Sequence, residues 1–217
     1  MHYYIITGGP IKDEARNVIG DGCVICADAG TDFAREFSII PDKVVGDLDS
    51  VSENGIRYIE ENNIPVEQYP SEKDWTDTEI ALNGIPEGSE ITIVCPLDGG
   101  GRLDHVIGNI QLAAGFASRH KRIVLTDGVT AVYLMSGDDS ISVDVTGRGD
   151  LAVSLVPLSF GEAVKGIKTT GLYYSLNGED LYAGKTFSFC NEPDTGMSEI
   201  SVAIEFGLLA VIVTKRV

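Results

Sequence analysis

Lys43-Val44-Val45-Gly46-Asp47-Leu48-Asp49-Ser50 joins a strand-like apolar run to a pair of aspartates. An apolar run meets a glycine, and two aspartates follow with one leucine between them. In an extended segment, residues two apart point to the same side, roughly 7 Å apart at Cα. Two carboxylates so placed repel each other unless a cation lies between them. Mg²⁺ suits the position, because it prefers oxygen ligands and is held by one or two carboxylates plus substrate phosphates. The competing reading is a solvated turn that happens to be acidic, and the motif alone does not choose.

The surroundings of this stretch make it one unit of a repeating pattern. Residues 3–7, 23–27, 43–45, 66–69 and 91–95 are short apolar runs ended by Gly, Pro or Asp. Between them, residues 33–37, 52–62, 76–83 and 104–118 carry helical periodicity. Such alternation predicts an α/β domain with a mainly parallel, doubly wound sheet. Sheets of this kind bind ligands at the carboxyl ends of their strands. After about residue 125 the pattern changes to closely spaced strands at 131–135, 140–145, 151–157, 163–168, 186–190, 197–205 and 209–214, punctuated by glycines. That part reads as an all-β antiparallel sandwich or barrel. The expected domains are 1–130 and 131–217.

Two more acidic clusters follow predicted parallel strands. Ser71-Glu72-Lys73-Asp74-Trp75-Thr76-Asp77 opens a helix, which Asp74 or Thr76 can cap. Lys73 gains nothing from the dipole of that helix end and is better placed to meet a phosphate. Gly99-Gly100-Gly101-Arg102-Leu103-Asp104-His105 lets backbone approach a ligand closely, and Arg102 offers a fork of donors that fits phosphate. A structural turn and a capped helix are the bland alternatives. Together the three loops should bring several carboxylates, one Lys and one Arg to one sheet edge. Divalent metal and polyphosphate would complete that balance, as in phosphoryl transfer.

The composition narrows the function classes. The formal net charge of the 217 residues is −17, and residues 1–110 hold 21 acids against 7 bases. That excludes a nucleic-acid binder, which needs Lys and Arg on phosphates, and disfavours a basic lipid-surface protein. A 43% apolar content supports a sizeable core. No apolar run is long enough to span a bilayer, and the N-terminus lacks the features of a signal peptide. Four cysteines, including a lone Cys23-Val24-Ile25-Cys26 without nearby histidines, read as core thiols of a cytoplasmic protein.

At this point the residues resemble the thiamine pyrophosphokinase family. The likeness rests on Ala27-Asp28-Ala29-Gly30, on Gly46-Asp47-Leu48-Asp49-Ser50, on Lys73-Asp74-Trp75-Thr76-Asp77, and on Gly100-Gly101-Arg102-Leu103-Asp104-His105 with Asn109. In the second half it rests on residues 170–176 and on Ser188-Phe189-Cys190-Asn191. The resemblance implies transfer of the diphosphoryl group of MgATP to thiamine, giving thiamine diphosphate and AMP. It implies Mg²⁺ on Asp47, Asp49, Asp77 and Asp104, with Lys73 and Arg102 neutralising the transferred group. It places Asp28, Gly30, Asp74, Thr76, Gly100, Gly101, His105 and Asn109 near the nucleotide. Tyr174, Ser188, Cys190 and Asn191 would line the vitamin pocket of a homodimer, with thiamine between the catalytic domain of one subunit and the β-domain of the other. Ala29, Tyr174, Cys190 and Leu97-Asp98 depart from the usual family pattern. Two alternatives stand beside this one: a diphosphokinase for another heterocyclic alcohol, such as a hydroxymethylpterin, and a non-catalytic nucleotide or metal binder.

Overall fold

The structure is a computed structural model that describes residues 1–98, 102–147 and 150–216. It divides into two compact units, Met1–Leu112 with Arg119–Val129, and Ala113–Ser118 with Thr130–Val217.

The first unit holds strands β1 (His2–Ile6), β2 (Cys23–Ala27), β3 (Lys43–Gly46), β4 (Val66–Gln68), β5 (Glu90–Val94) and β6 (Arg122–Thr126). They pair in parallel in the order β4-β3-β2-β1-β5-β6. Helices α1 (Gly30–Glu36), α2 (Glu53–Glu61), α3 (Asp77–Asn83) and α4 (Leu103–Phe116) make crossovers. The central strands are apolar on both faces because both faces are covered: four of the five residues of β2 and of β5 are buried. On one face Tyr4, Ile6, Val24, Cys26, Val44 and Val94 pack against Phe33, Ala34 and Ile59. The chain begins at the middle of the sheet, steps outward to β4, then returns to the other side of β1 as β5. Loops leaving β1 and β5 therefore diverge, which opens a crevice at the carboxyl edge.

Two elements of this unit lie outside the sequence reading. Arg122–Thr126 is a sixth parallel strand, registered Glu90↔Arg122 to Val94↔Thr126. Asp13–Val18 forms a 3-10 turn.

The second unit is built from β7 (Ala131–Ser136), β8 (Asp139–Asp144), β9 (Leu151–Pro157), β10 (Val164–Thr170), β11 (Asn177–Leu181), β12 (Glu199–Ile204) and β13 (Leu208–Lys215). Strands β7-β13-β9 and β11-β10-β12-β8 form antiparallel arrays. Alternate residues point inward: Leu151, Val153 and Leu155 of β9 meet Ile200, Val202 and Ile204 of β12 in a shared core.

Here the structure corrects one expected strand. Residues 186–190 form turns, not a strand. Phe189 N–H donates to Thr186 O, and Cys190 takes a positive φ of 56°. The segment is held against β9 by side-chain bonds, with Ser188 Oγ donating to Leu155 O at 2.6 Å. The polar Asn177–Leu181, by contrast, is a strand, because its backbone pairs with β10 although four of its five residues are exposed.

Candidate active site

Five strand ends contribute loops to one cleft of about 600 Å³ in the first unit. Thr7, Gly8, Gly9 and Pro10 follow β1; Asp28 and Ala29 follow β2; Ser50 follows β3. Thr76 and Asp77 lie at the start of α3, beyond β4. Pro96 and Arg102 follow β5, and His105, Val106 and Asn109 come from α4.

Asp28, Asp47 and Asp49 offer carboxylate oxygens that all lie within 4.8 Å of one another. The route to this arrangement differs from the extended one expected from alternation. Leu48 has φ 68°, so the segment turns after Gly46. Asp49 N–H then donates to Asp47 Oδ1 at 3.2 Å, closing an Asx turn that keeps the two side chains together. Asp28 also sits in the left-handed region, at φ 47°, which aims it across the sheet edge. Gly46 is required there: a Cβ on it would come within 3.1 Å of Asp28 Cβ and 3.3 Å of Asp77 Cγ. Asp28 is buried; Ser50 Oγ donates to its Oδ2, while its Oδ1 has no hydrogen-bond partner among the described residues.

Lys73 is the cation of this cluster. Its Nζ is 3.0 Å from Asp77 Oδ1 and 3.5 Å from Asp47 Oδ2, with the side chain only 11% exposed. Burial works against its charge, but Asp77 and Asp47 outweigh that and hold its pKa above the ordinary lysine value. The carboxylates separate in proton affinity. The backbone N–H of Asp49, then the Ser71 hydroxyl, hold Asp47 below the usual range. The charge of Asp47 pushes Asp49 above it. Burial raises Asp77, with Lys73 pulling the other way.

Thr76, rather than Asp74, caps α3, its Oγ1 accepting from Glu79 N–H at 3.2 Å. Asp74 is exposed. Gly30 opens α1 so close to β1 that a Cβ would lie 2.0 Å from Ile6 O. Asp104 is exposed and paired with Arg102, Nη2 to Oδ2 at 2.5 Å, and it stands outside the Asp28–Asp47–Asp49 group. Gly100 and Gly101 lie outside the described residues. Sequence reasoning missed the Gly8-Gly9-Pro10 turn, Ser50 and Pro96 as lining residues, and it did not group Asp28 with the two aspartates of the motif. The signal for the turn was its place after the first strand of a doubly wound sheet.

In the second unit, Asn191 is buried and ties down its neighbour: its Oδ1 accepts from Tyr174 N–H at 3.1 Å and its Nδ2 donates to Tyr174 O at 2.8 Å. Ser188 is likewise buried on backbone. Tyr173, Tyr174 and Phe187 are more than half exposed, and Cys190 is exposed beside Asn191.

Residues 19–125 match the family model for thiamin pyrophosphokinase, catalytic domain, and residues 141–209 match that for thiamin pyrophosphokinase, vitamin B1 binding domain. A thiamine pyrophosphokinase of Bacillus subtilis (strain 168) is 32% identical over 192 residues, covering 87% of each chain. The chain belongs to the thiamine pyrophosphokinase family. Solved structures agree: that of thiamine pyrophosphokinase from Bacillus subtilis aligns with a TM-score of 0.81 at 26% identity over 100% of both chains. The thiamin pyrophosphokinase from Geobacillus thermodenitrificans gives 0.79 at 27% identity, over 100% of this chain and 98% of the other. An α/β unit precedes an antiparallel β unit in this chain, and the carboxylate cluster falls inside the stretch matched as catalytic.

Proposed function

We propose that this chain transfers the diphosphoryl group of MgATP to the hydroxyethyl oxygen of thiamine. The thiamine oxygen forms a bond to the β-phosphorus, and the bond from that phosphorus to the α,β-bridging oxygen breaks. AMP leaves with the bridging oxygen, and the hydroxyl proton passes to one of the aspartates. The observation that carries this reading is the meeting of Asp28, Asp47, Asp49 and the Lys73–Asp77 pair at one sheet edge of a chain from this family.

The residues present fit a divalent cation. They offer hard oxygens from three carboxylates, one of which keeps a buried oxygen without a hydrogen-bond partner among the described residues. Asp28, Asp47 and Asp49 would hold Mg²⁺, with Asp77 alongside; the family resemblance adds Asp104. When bound, the ion would neutralise phosphate charge and orient the triphosphate. Lys73 is fixed between two aspartates and supplies positive charge from the protein itself. Arg102 lines the cleft and offers a planar fork to phosphate oxygens once it exchanges Asp104 for substrate. Asp28, Thr76, His105 and Asn109, together with the backbone at residues 7–9, would surround the nucleotide. Gly30, Asp74, Gly100 and Gly101 belong to the same proposal through the resemblance.

For thiamine, Tyr174 offers a ring that stacks on a pyrimidine, and Asn191 holds that ring's backbone in place. Ser188 and Cys190 complete the assignment. The working form in this proposal is a homodimer, with thiamine between the catalytic domain of one subunit and the β-domain of the other. The exposed Tyr173, Tyr174 and Phe187 support it, since aromatic groups favour burial in interfaces. The four free cysteines support a cytoplasmic location, and no helix among the described residues is long and apolar enough to cross a membrane.

The test is AMP release from MgATP with thiamine or a hydroxymethylpterin as acceptor. Thiamine-dependent AMP release is expected. Pterin-dependent release would reassign the acceptor, and nucleotide binding without turnover would make the chain a binder. Light scattering should give a dimer; a strictly monomeric active enzyme would overturn the shared site.

A further inference from the structure

Lys12 follows the Gly8-Gly9-Pro10 turn and reaches two acids on other loops. Its Nζ is 3.1 Å from Asp98 Oδ2 and 3.0 Å from Asp127 Oδ2. Asp98 lies in the loop after β5, two residues beyond the cleft-lining Pro96. Asp127 follows β6 directly, and its side chain is 1% exposed.

The Asp127 end of this link is rigid. Asp127 Oδ1 accepts from Val129 N–H at 3.0 Å, and Thr126 Oγ1 accepts from Gly128 N–H at 3.0 Å. Gly128, at φ 90°, presses so closely on the 3-10 turn after Lys12 that a Cβ would lie 2.2 Å from Ala15 N. Lys12 is attached to that same turn, its carbonyl accepting from Ala15 N–H at 3.0 Å. The Asp98 end is the adjustable one, with a side chain 47% exposed. The loops joined this way also touch at the cleft, where a Cβ on Gly9 would lie 2.9 Å from Pro96 Cγ.

We infer that Lys12 is a positioning residue for the nucleotide cleft: it ties the loop after β5, through Asp98, to the buried Asp127, and so fixes the separation of Gly8, Gly9 and Pro10 from Pro96. Lys12 does not line the cleft, so it acts through the loops that do. A charge bridge suits this role better than apolar packing. Three loops leave the sheet there, and a buried carboxylate without a cation would be costly. The inference rests on the reading of the cleft as the ATP site.

The deciding variant is Asp98→Asn, which leaves the Lys12–Asp127 pair intact and alters an exposed side chain. In the full-length protein, KM for MgATP should rise about fivefold while kcat stays within about twofold and Tm is little changed. Amide hydrogen exchange at Leu97 and Asp98 should accelerate about tenfold in the same protein without nucleotide. Lys12→Arg should keep wild-type values for both. An Asp98→Asn enzyme with unchanged KM and unchanged exchange overturns the inference. Faster exchange in a protein whose wild-type form releases no AMP would leave the link standing and sink the ATP reading instead.

Discussion

Lys73 Nζ lies 3.0 Å from Asp77 Oδ1, joining the loop after β4 to the first residue of α3. The same ammonium reaches Asp47 on the loop after β3. One cation therefore spans two loops and offsets part of the charge that Asp28, Asp47 and Asp49 concentrate there. Under the proposed function, the remaining negative charge would favour a divalent cation and attract cationic thiamine.

Asp49→Ala should lower thiamine-dependent AMP release by at least about 10²-fold, since one of the carboxylates proposed to hold the charge-neutralising Mg²⁺ is lost. Asp49 is exposed, so the circular dichroism spectrum and folding cooperativity should be unchanged. A folded variant with near-normal kcat would remove Asp49 from the metal assignment.

The same residue has a stability signature with a defined sign. The charge of Asp47 raises the proton affinity of Asp49 in the folded state. A carboxyl raised in this way costs stability above its folded pKa, and the cost vanishes as pH falls below the unfolded value. Asp49→Asn should therefore raise Tm at neutral pH without divalent cations, and the gain should shrink towards roughly pH 4, the ordinary carboxylate range. Thermal scans from neutral to acid pH check this; a gain that grows on acidification contradicts it.

Lys73→Met removes the shared cation from two partly buried carboxylates. Stability without metal should fall by about 1–3 kcal/mol, and added Mg²⁺ should recover part of it by mass action. Denaturant melts with and without Mg²⁺ measure both terms. Equal midpoints for variant and wild type would show that the pairs contribute nothing.

Asn191→Ala should act on the vitamin side alone. It removes both hydrogen bonds to the Tyr174 peptide, a loss of about 1–2 kcal/mol. KM for thiamine should rise while KM for MgATP stays at its wild-type value. Steady-state kinetics with each substrate varied in turn decide it, and a rise for MgATP instead would detach Asn191 from thiamine.

Much of the fold was legible because burial on both faces leaves a mark in sequence. The apolar runs of β1, β2, β3 and β5, each ended by Gly, Pro or Asp, announced a parallel sheet. The closely spaced runs after about residue 125, punctuated by glycines with no helical period between them, announced an antiparallel one. Residues 186–190 misled because their apolar content reflects a turn fastened to β9 by Ser188 and Cys190. Strand β11 was invisible because backbone pairing, not side-chain burial, defines it.

The order of strands and acidic clusters along the chain pointed to one sheet edge as the place where the site would form. Each acidic cluster follows a strand, and parallel strands in one sheet place their following loops on one side. Which carboxylates meet depends on contacts between neighbouring strands. Asp28 joins Asp47 and Asp49 because β2 and β3 are neighbours and because Gly46 leaves room between Asp28 and Asp77. Asp104, equally acidic in sequence, is taken by Arg102. Proximity across strands depends on sheet order and on left-handed backbone at Asp28 and Leu48, and neither is written in local periodicity.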